Sequence, residues 1–223
     1  MIKIDELLDL DHTLAKEYLK QYQYPWEALK GIKDLIIELG NKLDKNEYKE
    51  VSENVWVHNT AKIFPSAYLG QPCIIGPNTE VRHCAFIRGS ALVGENCVVG
   101  NSVELKNVIL FDNVQTPHYN YVGDSILGYK AHMGAGSITS NVKSDKTLVN
   151  VRRNDEKIPT GLKKFGAILG DHVEVGCNSV LNPGTIVGRN TNIYPVCRVR
   201  GVVPANSVYK EDSNIVIKEI KND

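Results

Sequence analysis

The sequence lacks an excess of charge and any long apolar run. Its 26 lysine and arginine residues balance 26 aspartate and glutamate residues, so no net charge draws the whole chain to nucleic acid or to a membrane surface. No apolar run reaches the roughly eighteen residues that a membrane-spanning helix needs. The N-terminal residues mix charged with apolar side chains, so they have no signal-peptide core. We therefore expect no nucleic-acid partner and no membrane partner.

Paired cysteines are also missing. The five cysteines are odd in number, and none stands in a CxxC motif. A disulfide framework or a cysteine zinc cluster is therefore not expected, and we predict a reducing, cytoplasmic location and no metal. Cys73, Cys97 and Cys197 fall on the small inward position of the repeat described below, which predicts that they are core residues.

Residues 1–50 have helical spacing of apolar side chains and form the predicted N-terminal helical segment. Pro25 suits the first turn of a second helix, because its missing N–H has no partner to lose there. Trp26 and Ile36 would lie on the apolar face of that helix. Two helices of this length cannot hold a core alone, so we expect them to pack on the rest of the chain and to cap one of its ends.

From Val55 the sequence repeats every six residues. The third position of each block is a large aliphatic or aromatic residue, and the first is usually small or β-branched. The third positions are Val57, Ile63, Leu69, Ile75, Val81, Ile87, Val93, Val99, Leu105 and Phe111, and later Leu169, Val175, Leu181, Val187, Ile193 and Val199. Such a period indicates a short strand followed by a tight corner, and three such sides close a triangular coil.

The repeat predicts an all-β fold, a parallel β-helix over 51–205 of roughly six coils stacked ~4.8 Å apart. Glycines and asparagines that follow the aliphatic positions, such as Gly94, Asn96 and Gly100, are predicted to supply positive φ at the corners. The C-terminal tail, 206–223, can add a strand or a hairpin, and the sequence does not decide between them.

Two interruptions break the repeat. Phe111 and Leu127 lie sixteen residues apart, so the phase slips by four residues, and His118 lies inside this slip. The second interruption is an inserted loop at about 141–166. Seven of its side chains are Lys or Arg and three are Asp or Glu. This loop is either solvated or an arm folded over a site that holds an anionic ligand.

Several segments carry a family resemblance: AFIRGSALVGENCVVGNSVELKN, PHYNYVGDSILG with its HxxYxGD pattern, GAGSITSN and KFGAILGD. They resemble the C-terminal acetyltransferase domain of the bifunctional enzyme that makes UDP-N-acetylglucosamine, a hexapeptide-repeat acyltransferase. The resemblance implies a left-handed β-helix and an acetyl-CoA-dependent N-acetyltransferase of an amino sugar phosphate such as glucosamine 1-phosphate. It also implies a homotrimer with sites between subunits.

The resemblance also implies roles for individual residues. His118 would be the general base, which suits an amine that must lose a proton near neutral pH. The residues that would bind the acceptor are Arg88, Lys106, Tyr121, His132, Asn141 and Lys164. Apart from the resemblance, the glycine-rich backbone at Gly134 and Ala135 is predicted to supply N–H donors near the thioester, with Cys177 beside acetyl-CoA, and the charges of Arg198 and Arg200 make them candidates for its phosphates. Arg88 and Lys106 lie eighteen residues apart, one full coil, so we expect them to stack on one face.

Some of these roles have alternatives. His132 stands where the family has an asparagine, and Cys177 where it has a serine; His132 is equally compatible with a structural role. Arg198, Arg200 and Lys210 either bind the phosphates of coenzyme A or only solubilise the last coils.

Two other functions compete with acyl transfer. One is a non-catalytic trimeric scaffold or sugar-nucleotide-binding module. The other is a zinc lyase of the γ-carbonic-anhydrase type, which needs a histidine pair five residues apart that the six histidines do not provide. Pyrophosphorylase activity is not expected, because the sequence has no counterpart of the family's nucleotidyltransferase domain or its glycine-rich nucleotide loop; only YPWEALKGI is similar to the segment that joins the two domains.

Overall fold

The chain winds into a triangular parallel β-helix with three faces. In the computed structural model, which describes residues 2–210 and 214–217, one sheet wraps the first and third faces and a second sheet forms the second face. The first-face strands are β2 (Val55–His58), β5 (Cys73–Ile75), β16 (Ala167–Leu169), β19 (Thr185–Val187), β22 (Val202–Val203) and the later parts of β7 (Phe86–Val93), β9 (Glu104–Leu110) and β11 (Tyr121–Leu127).

The other two faces repeat the same stacking. The second-face strands are β3 (Lys62–Ile63), β6 (Glu80–Val81), β8 (Val98–Asn101), β10 (Gln115–His118), β12 (His132–Met133), β17 (Glu174–Val175), β20 (Asn192–Ile193) and β23 (Ser207–Lys210). The third-face strands are β4 (Tyr68–Leu69), β13 (Ile138–Thr139), β18 (Val180–Leu181), β21 (Arg198–Val199) and the first parts of β7, β9 and β11. The chain thus has the left-handed parallel β-helix fold that the hexapeptide pattern and the resemblance predicted.

The coil number differs from the prediction. Eight strands stack on the first face and eight parallel strands on the second, so the roughly six coils expected from the sequence were too few. The missing coils lie where the pattern was read as broken. Val93 pairs with Leu110 and Leu110 with Leu127, so these coils have 17 residues instead of the 18 that separate Ile75 from Val93.

The first interruption is therefore a regular part of the ladder. Leu110, and not Phe111, takes the inward position next to Val93, and Phe111 is buried at the following corner. His118 pairs with Asn101 in an unbroken second face. A coil that is shorter by one residue shifts the sequence phase without disturbing the hydrogen bonds between strands.

Asparagine and glycine residues have different structural roles at the corners. Asn78 and Asn96 adopt φ +53, as predicted, because their short polar side chains tolerate the left-handed region. Gly94 and Gly100 do not have positive φ, so this part of the prediction was wrong. They are needed for close stacking: a Cβ on Gly100 would overlap the carbonyl of Pro117 in the next coil.

This overlap leads to a stability prediction. Gly100→Ala forces two backbones apart, and we expect it to lower the free energy of unfolding by about 3 kcal/mol. Gly161→Ala is the matched control. No atom lies within 4 Å of its Cβ, and only its φ of +67 is unfavourable, so a loss of about 1 kcal/mol is expected. Urea unfolding of both variants checks the difference, and equal losses would contradict the close-stacking explanation.

The N-terminal segment is helical but more broken than predicted. It contains α1 (Ile4–Leu7), a 3₁₀ helix (Leu10–His12), α2 (Lys16–Leu19), a second 3₁₀ helix (Pro25–Gly31) and α3 (Ile32–Gly40). Pro25 does begin a helix, although the first turns are 3₁₀. A short antiparallel strand, β1 (Tyr48–Ser52), then pairs with β2.

This segment covers the flank of the β-helix and not one end, so the prediction of an end cap was wrong. The N–H of Asp112 donates to the carbonyl of His12 at 3.0 Å, and the N–H of Asp171 donates to the carbonyl of Leu7 at 3.0 Å. At the other end of the segment Trp56 lies against Gly40. The contacts therefore run from the first coil to the sixth.

The first face explains this placement. Its outward positions are as apolar and as buried as its inward ones. They are Trp56, Ile74, Leu92, Ile109, Ile126, Ile168 and Ile186, each 6% exposed or less. An uncovered row of this kind would leave a large apolar patch in water. The helical segment and the inserted loop together remove this patch from solvent, so the second and third faces are the ones left open.

The inserted loop is a β-hairpin, β14 (Val149–Arg153) and β15 (Glu156–Leu162), and it folds as an arm. Val149 and Val151 are buried, and the arm contacts β19 and β22. At its base the N–H of Phe165 donates to the carbonyl of Asn141 at 2.9 Å. The loop therefore packs as an arm against the last coils, while its role at a site for an anionic ligand stays a prediction.

The β-helix extends beyond the predicted boundary at 205. Strand β23 is a parallel rung next to β20, and β24 (Asn214–Ile217) then pairs with it in an antiparallel hairpin. The predicted tail positions 211–213 and 218–223 lie outside the described residues. Within the part of the chain that is described, no helix is long and apolar enough to cross a membrane.

Candidate functional site

One corner, between the second and third faces, brings several predicted site residues into a single column. The column consists of one residue from each of four successive coils: Asn101, His118, Ala135 and Cys177. Each carbonyl of the column accepts a hydrogen bond of 2.8–3.0 Å from a backbone N–H of the following coil, and the donors are, in order, Tyr119, Gly136, Asn178 and Val196. Successive rungs lie ~4.8 Å apart, so His118 and Cys177 are about 10 Å apart along this corner, which we name the His118 corner.

His118 is exposed at the end of β10 and has a backbone held from both sides. Its N–H donates to Oδ1 of Asn120 at 3.2 Å, and its carbonyl accepts from Gly136. Its imidazole makes no hydrogen bond or ion pair with any residue of 2–210 or 214–217. A fixed backbone with an unengaged ring leaves the imidazole available to a ligand.

Asn120 is a supporting residue that the sequence analysis missed. It is buried, and its Nδ2 donates to the carbonyls of Gly134 at 2.8 Å and Ser137 at 3.1 Å. It therefore ties the turn after His118 to the GAG segment of the next coil. The signal was available: a polar residue stands inside the HxxYxGD pattern at a position that the repeat buries.

The GAG segment has less free backbone than its glycines suggest. The N–H of Gly134 donates to the carbonyl of Val175 at 2.7 Å, and the N–H of Gly136 donates to His118. The N–H of Ala135 donates to none of the described residues. Ala135 is therefore the donor of this segment that a developing oxyanion could use.

A second group of predicted residues meets at the corner between the third and first faces. The carboxylate of Asp124, which is 4% exposed, accepts hydrogen bonds from three side chains. Lys106 Nζ donates at 2.8 and 3.0 Å, Asn107 Nδ2 at 3.0 Å and Asn141 Nδ2 at 2.6 Å. We call this group, together with Tyr121, the Asp124 cluster.

Tyr121 joins the cluster through its hydroxyl, which accepts from Asn141 Nδ2 at 3.1 Å. Burial raises the pKa of Tyr121, and the nearby Asp124 carboxylate raises it further. The phenol therefore keeps its proton and can donate it to a sugar hydroxyl or phosphate. Asp124 is the final residue of the HxxYxGD pattern, yet the sequence analysis assigned it no role, because its partners lie on both sides of it: Lys106 and Asn107 on β9 of the coil before, and Asn141 in the coil after.

Arg88 lies near this cluster but does not stack on Lys106. A bulge between Ile87 and Gly89 pairs Lys106 with Gly89, so the expected eighteen-residue stacking was wrong by one position. Arg88 Nη1 instead donates to Oε1 of Glu104 at 2.8 Å, and this hydrogen bond raises the pKa of Arg88. Arg88 and Lys106 thus each already have a carboxylate partner.

The remaining acceptor candidates lie apart. His132 is on the second face, where its Nδ1 lies 2.7 Å from Glu174 Oε2, outside the His118 corner. Lys164 is exposed at the base of the arm, one residue after Lys163 and before the Phe165 that binds Asn141. No ion pair joins Lys164 to a described residue.

The C-terminal cations are also separated. Arg198 lies on the third face, opposite Val180. Arg200 lines a cleft beneath the arm. Lys210 Nζ is 5.5 Å from the ring centroid of Tyr194. Among the described residues no group of three His, Cys, Asp or Glu side chains could hold a metal ion.

The cysteines divide as the repeat predicts. Cys73, Cys97 and Cys197 are buried and form no disulfide with a described cysteine, and burial raises the pKa of Cys73 and Cys97 to about 12. Cys84 and Cys177 are free and exposed. Cys177 therefore presents a thiol on the His118 corner.

Comparison with known proteins identifies relatives of this chain. The chain is 31% identical over 211 residues to the bifunctional protein GlmU of Methanococcus maripaludis, which covers 92% of the chain and the C-terminal half of that protein. The chain is related to the C-terminal half of GlmU. It is also 34% identical, over 91 residues, to a bifunctional sugar-1-phosphate nucleotidylyltransferase/acetyltransferase of Sulfurisphaera tokodaii; this match covers 41% of the chain and 23% of that protein.

The GlmU-related chain spans half of the length of that M. maripaludis relative, and a smaller share is aligned in others. A hexapeptide transferase family protein from Anaplasma phagocytophilum is similar at 14% identity, with a TM-score of 0.41, over 74% of this chain and 79% of that one. No protein-family model matches the sequence. The GlmU relationship covers both the His118 corner and the Asp124 cluster.

Proposed function

We propose that the chain is an acetyl-CoA-dependent N-acetyltransferase of an amino sugar phosphate. The observation that carries the proposal is the column of the His118 corner, in which an unengaged imidazole, a free N–H at Ala135 and the exposed Cys177 follow one another. An extended thioester-bearing chain can lie along such a column. The relationship to proteins named GlmU and to a bifunctional sugar-1-phosphate nucleotidylyltransferase/acetyltransferase supports this reaction class.

In the proposed reaction the neutral amine of the sugar attacks the thioester carbonyl, and His118 accepts the proton that the nitrogen loses as the C–N bond forms. The tetrahedral oxyanion then accepts a hydrogen bond from the Ala135 N–H. Collapse breaks the C–S bond, and the leaving thiolate takes the proton from the His118 imidazolium, which releases coenzyme A and restores the base. Gly134 and Cys177 would line the path of the cofactor, and Arg198 is a candidate for its phosphates.

The acceptor would be held on the third face by the Asp124 cluster. Tyr121 and Asn141 supply the hydroxyl and the amide for the sugar, and Arg88, Lys106 and Lys164 are the candidate cations for its phosphate. Arg88 already pairs with Glu104, and Lys106 already pairs with Asp124. A phosphate bound by these two cations would therefore share them with the two carboxylates. His132, bound to Glu174 on the second face, would reach the acceptor only at a subunit seam.

A homotrimer is part of the proposal. The second and third faces are open, and the His118 corner is flanked by exposed apolar side chains, Tyr119 at 63%, Tyr194 at 47% and Val196 at 75%. Exposed apolar residues clustered in this way mark interfaces. Light scattering should give three times the 24.8 kDa chain mass, and a monomer would contradict a site built between subunits.

A direct assay tests the activity. The protein is mixed with acetyl-CoA and a panel of amino sugar phosphates and nucleotide-linked amino sugars, and free thiol is followed together with the mass of the acetylated product. We expect thiol release that depends on the acceptor and an acceptor mass increase of one acetyl group. If no amino sugar leads to thiol release, the result would contradict the proposed acetyltransferase activity and favour a non-catalytic binding module.

A further inference from the structure

A cleft lies between the arm and the last coils, away from the His118 corner. Its volume is about 390 Å³, which falls in the ~300–1,000 Å³ range of small-molecule sites. We call it the hairpin cleft. It is lined by Ser140, Val142, Lys143, Ser144, Asp145, Asn150, Arg152, Asn182, Pro183, Arg200 and Gly201. The lining is mostly polar, with Val142 and Pro183 as apolar walls.

The cleft holds positive charge that no described carboxylate neutralises. Arg152 and Arg200 are exposed, and neither forms an ion pair or a side-chain hydrogen bond with a residue of the described ranges. Lys143 is paired with Asp145 at 3.1 Å. The guanidinium fork of arginine matches phosphate geometry, so two such side chains at one cleft favour a phosphate-bearing ligand.

Two glycines allow strand β14 to pack closely against the last coils and so give the cleft its shape. Gly184 and Gly201 both have φ +80, a conformation that favours glycine. A Cβ on Gly201 would lie 2.7 Å from the carbonyl of Arg152, and one on Gly184 would lie 2.8 Å from Val149 Cγ1. The corners of two successive coils are thus shaped to receive strand β14, which positions Arg152 opposite Arg200.

The position of the cleft distinguishes acceptor from cofactor. Ser140, Asn182 and Arg200 are equivalent residues in successive coils, because Ser140 N–H donates to Leu181 and Asn182 N–H donates to Val199. This row begins next to Asn141 of the Asp124 cluster. It runs along the edge of the third face opposite to the His118 corner, where acetyl-CoA would lie.

We infer that the hairpin cleft, and not the carboxylate-paired Arg88 and Lys106, binds the phosphates of the acceptor, and that these are the phosphates of a nucleoside diphosphate, so that the amino sugar phosphate of the proposed function is a nucleotide-linked amino sugar. This inference rests on the proposed function for its account of the amino sugar, but the cleft itself can be tested without catalysis. It also gives the cationic arm a use, since the arm supplies Arg152 and closes one wall.

Calorimetric titration without acetyl-CoA tests the inference, with UDP, inorganic pyrophosphate and coenzyme A as separate titrants. We expect UDP and pyrophosphate to bind, and Arg152→Ala and Arg200→Ala each to weaken their binding by about 10-fold or more, the effect of losing a charge-assisted hydrogen bond. Arg153→Ala is the matched control. It removes the same charge from the neighbouring position of β14, which does not line the cleft, and should leave both affinities unchanged.

Other outcomes overturn the inference. If neither UDP nor pyrophosphate binds, or if Arg153→Ala weakens binding as much as Arg200→Ala, the cleft is not the site. If only coenzyme A binds and loses affinity in the cleft variants, the cleft takes cofactor phosphates and the acceptor assignment is wrong. Arg200→Lys, checked by circular dichroism, keeps the charge and should retain more affinity than Arg200→Ala. UDP binding with these effects in a protein that shows no acetyl transfer would refute the proposed activity and leave the cleft standing.

Discussion

His118→Ala is expected to lower the rate of acetyl transfer by about 10²–10⁴-fold, the usual contribution of a general base. The amine cannot attack the thioester efficiently without a group that accepts its proton. The imidazole of His118 is exposed on the column where the cofactor is proposed to lie, while its backbone is fixed by Asn120 and Gly136. Thiol release with the best acceptor of the panel measures the effect.

The control comes from the same corner. His83 lies in the same column two coils before His118, since the Ser102 N–H donates to the His83 carbonyl as the Tyr119 N–H donates to Asn101. His83 is also exposed, but its Nδ1 lies 2.9 Å from Ser66 Oγ. His83→Ala should keep the wild-type rate. Equal losses in both variants, or full activity in His118→Ala, would remove His118 from the reaction.

Asp124→Asn is expected to lower the free energy of unfolding by about 3 kcal/mol. The Asp124 side chain is 6% exposed, and it balances the charge of Lys106, whose side chain is 26% exposed. Breaking a buried ion pair on one side typically costs about 3–5 kcal/mol, because the remaining charge is left without its partner. The new amide group would also point a donor at Lys106 or Asn141, both of which are donors.

The substitution isolates charge from backbone strain. Asp124 has φ +49, and asparagine tolerates the left-handed region, so the backbone need not change. Glu104→Gln breaks the exposed Arg88–Glu104 pair and should change stability by less than about 1 kcal/mol. Urea unfolding of both variants gives the comparison. A loss in Asp124→Asn no larger than in Glu104→Gln would show that the cluster is not a stabilising hub.

Much of the fold could be predicted because the six-residue period is a direct record of geometry. A large inward residue at the third position of each six-residue block specifies a short strand followed by a corner. The coil number could not be predicted, because the 17-residue coils around Leu110 change the sequence phase while the ladder stays intact. The outward positions of Ile74, Leu92 and Ile109 indicate that the N-terminal segment packs on the flank, because an end cap could not cover these residues.

The candidate site was predictable in part. The segment around His118 carried the resemblance, and the structure places His118, Ala135 and Cys177 in one column. The Asp124 cluster depends on contacts among residues 106, 107, 124 and 141, which an eighteen-residue coil cannot align because β9 and β11 pair at an offset of 17 residues. The hairpin cleft depends on how the arm packs, and a cationic loop does not encode its docking surface in its own sequence.

Thiol labelling of Cys177 in the presence of acetyl-CoA tests the proposed cofactor path along the His118 corner most directly. N-ethylmaleimide should modify the two exposed cysteines, Cys84 and Cys177, and leave the three buried ones, and mass spectrometry of peptides separates them. The account predicts that saturating acetyl-CoA protects Cys177 and leaves the labelling of Cys84, four coils earlier, unchanged. Unchanged labelling of Cys177, or equal protection of both thiols, would contradict it.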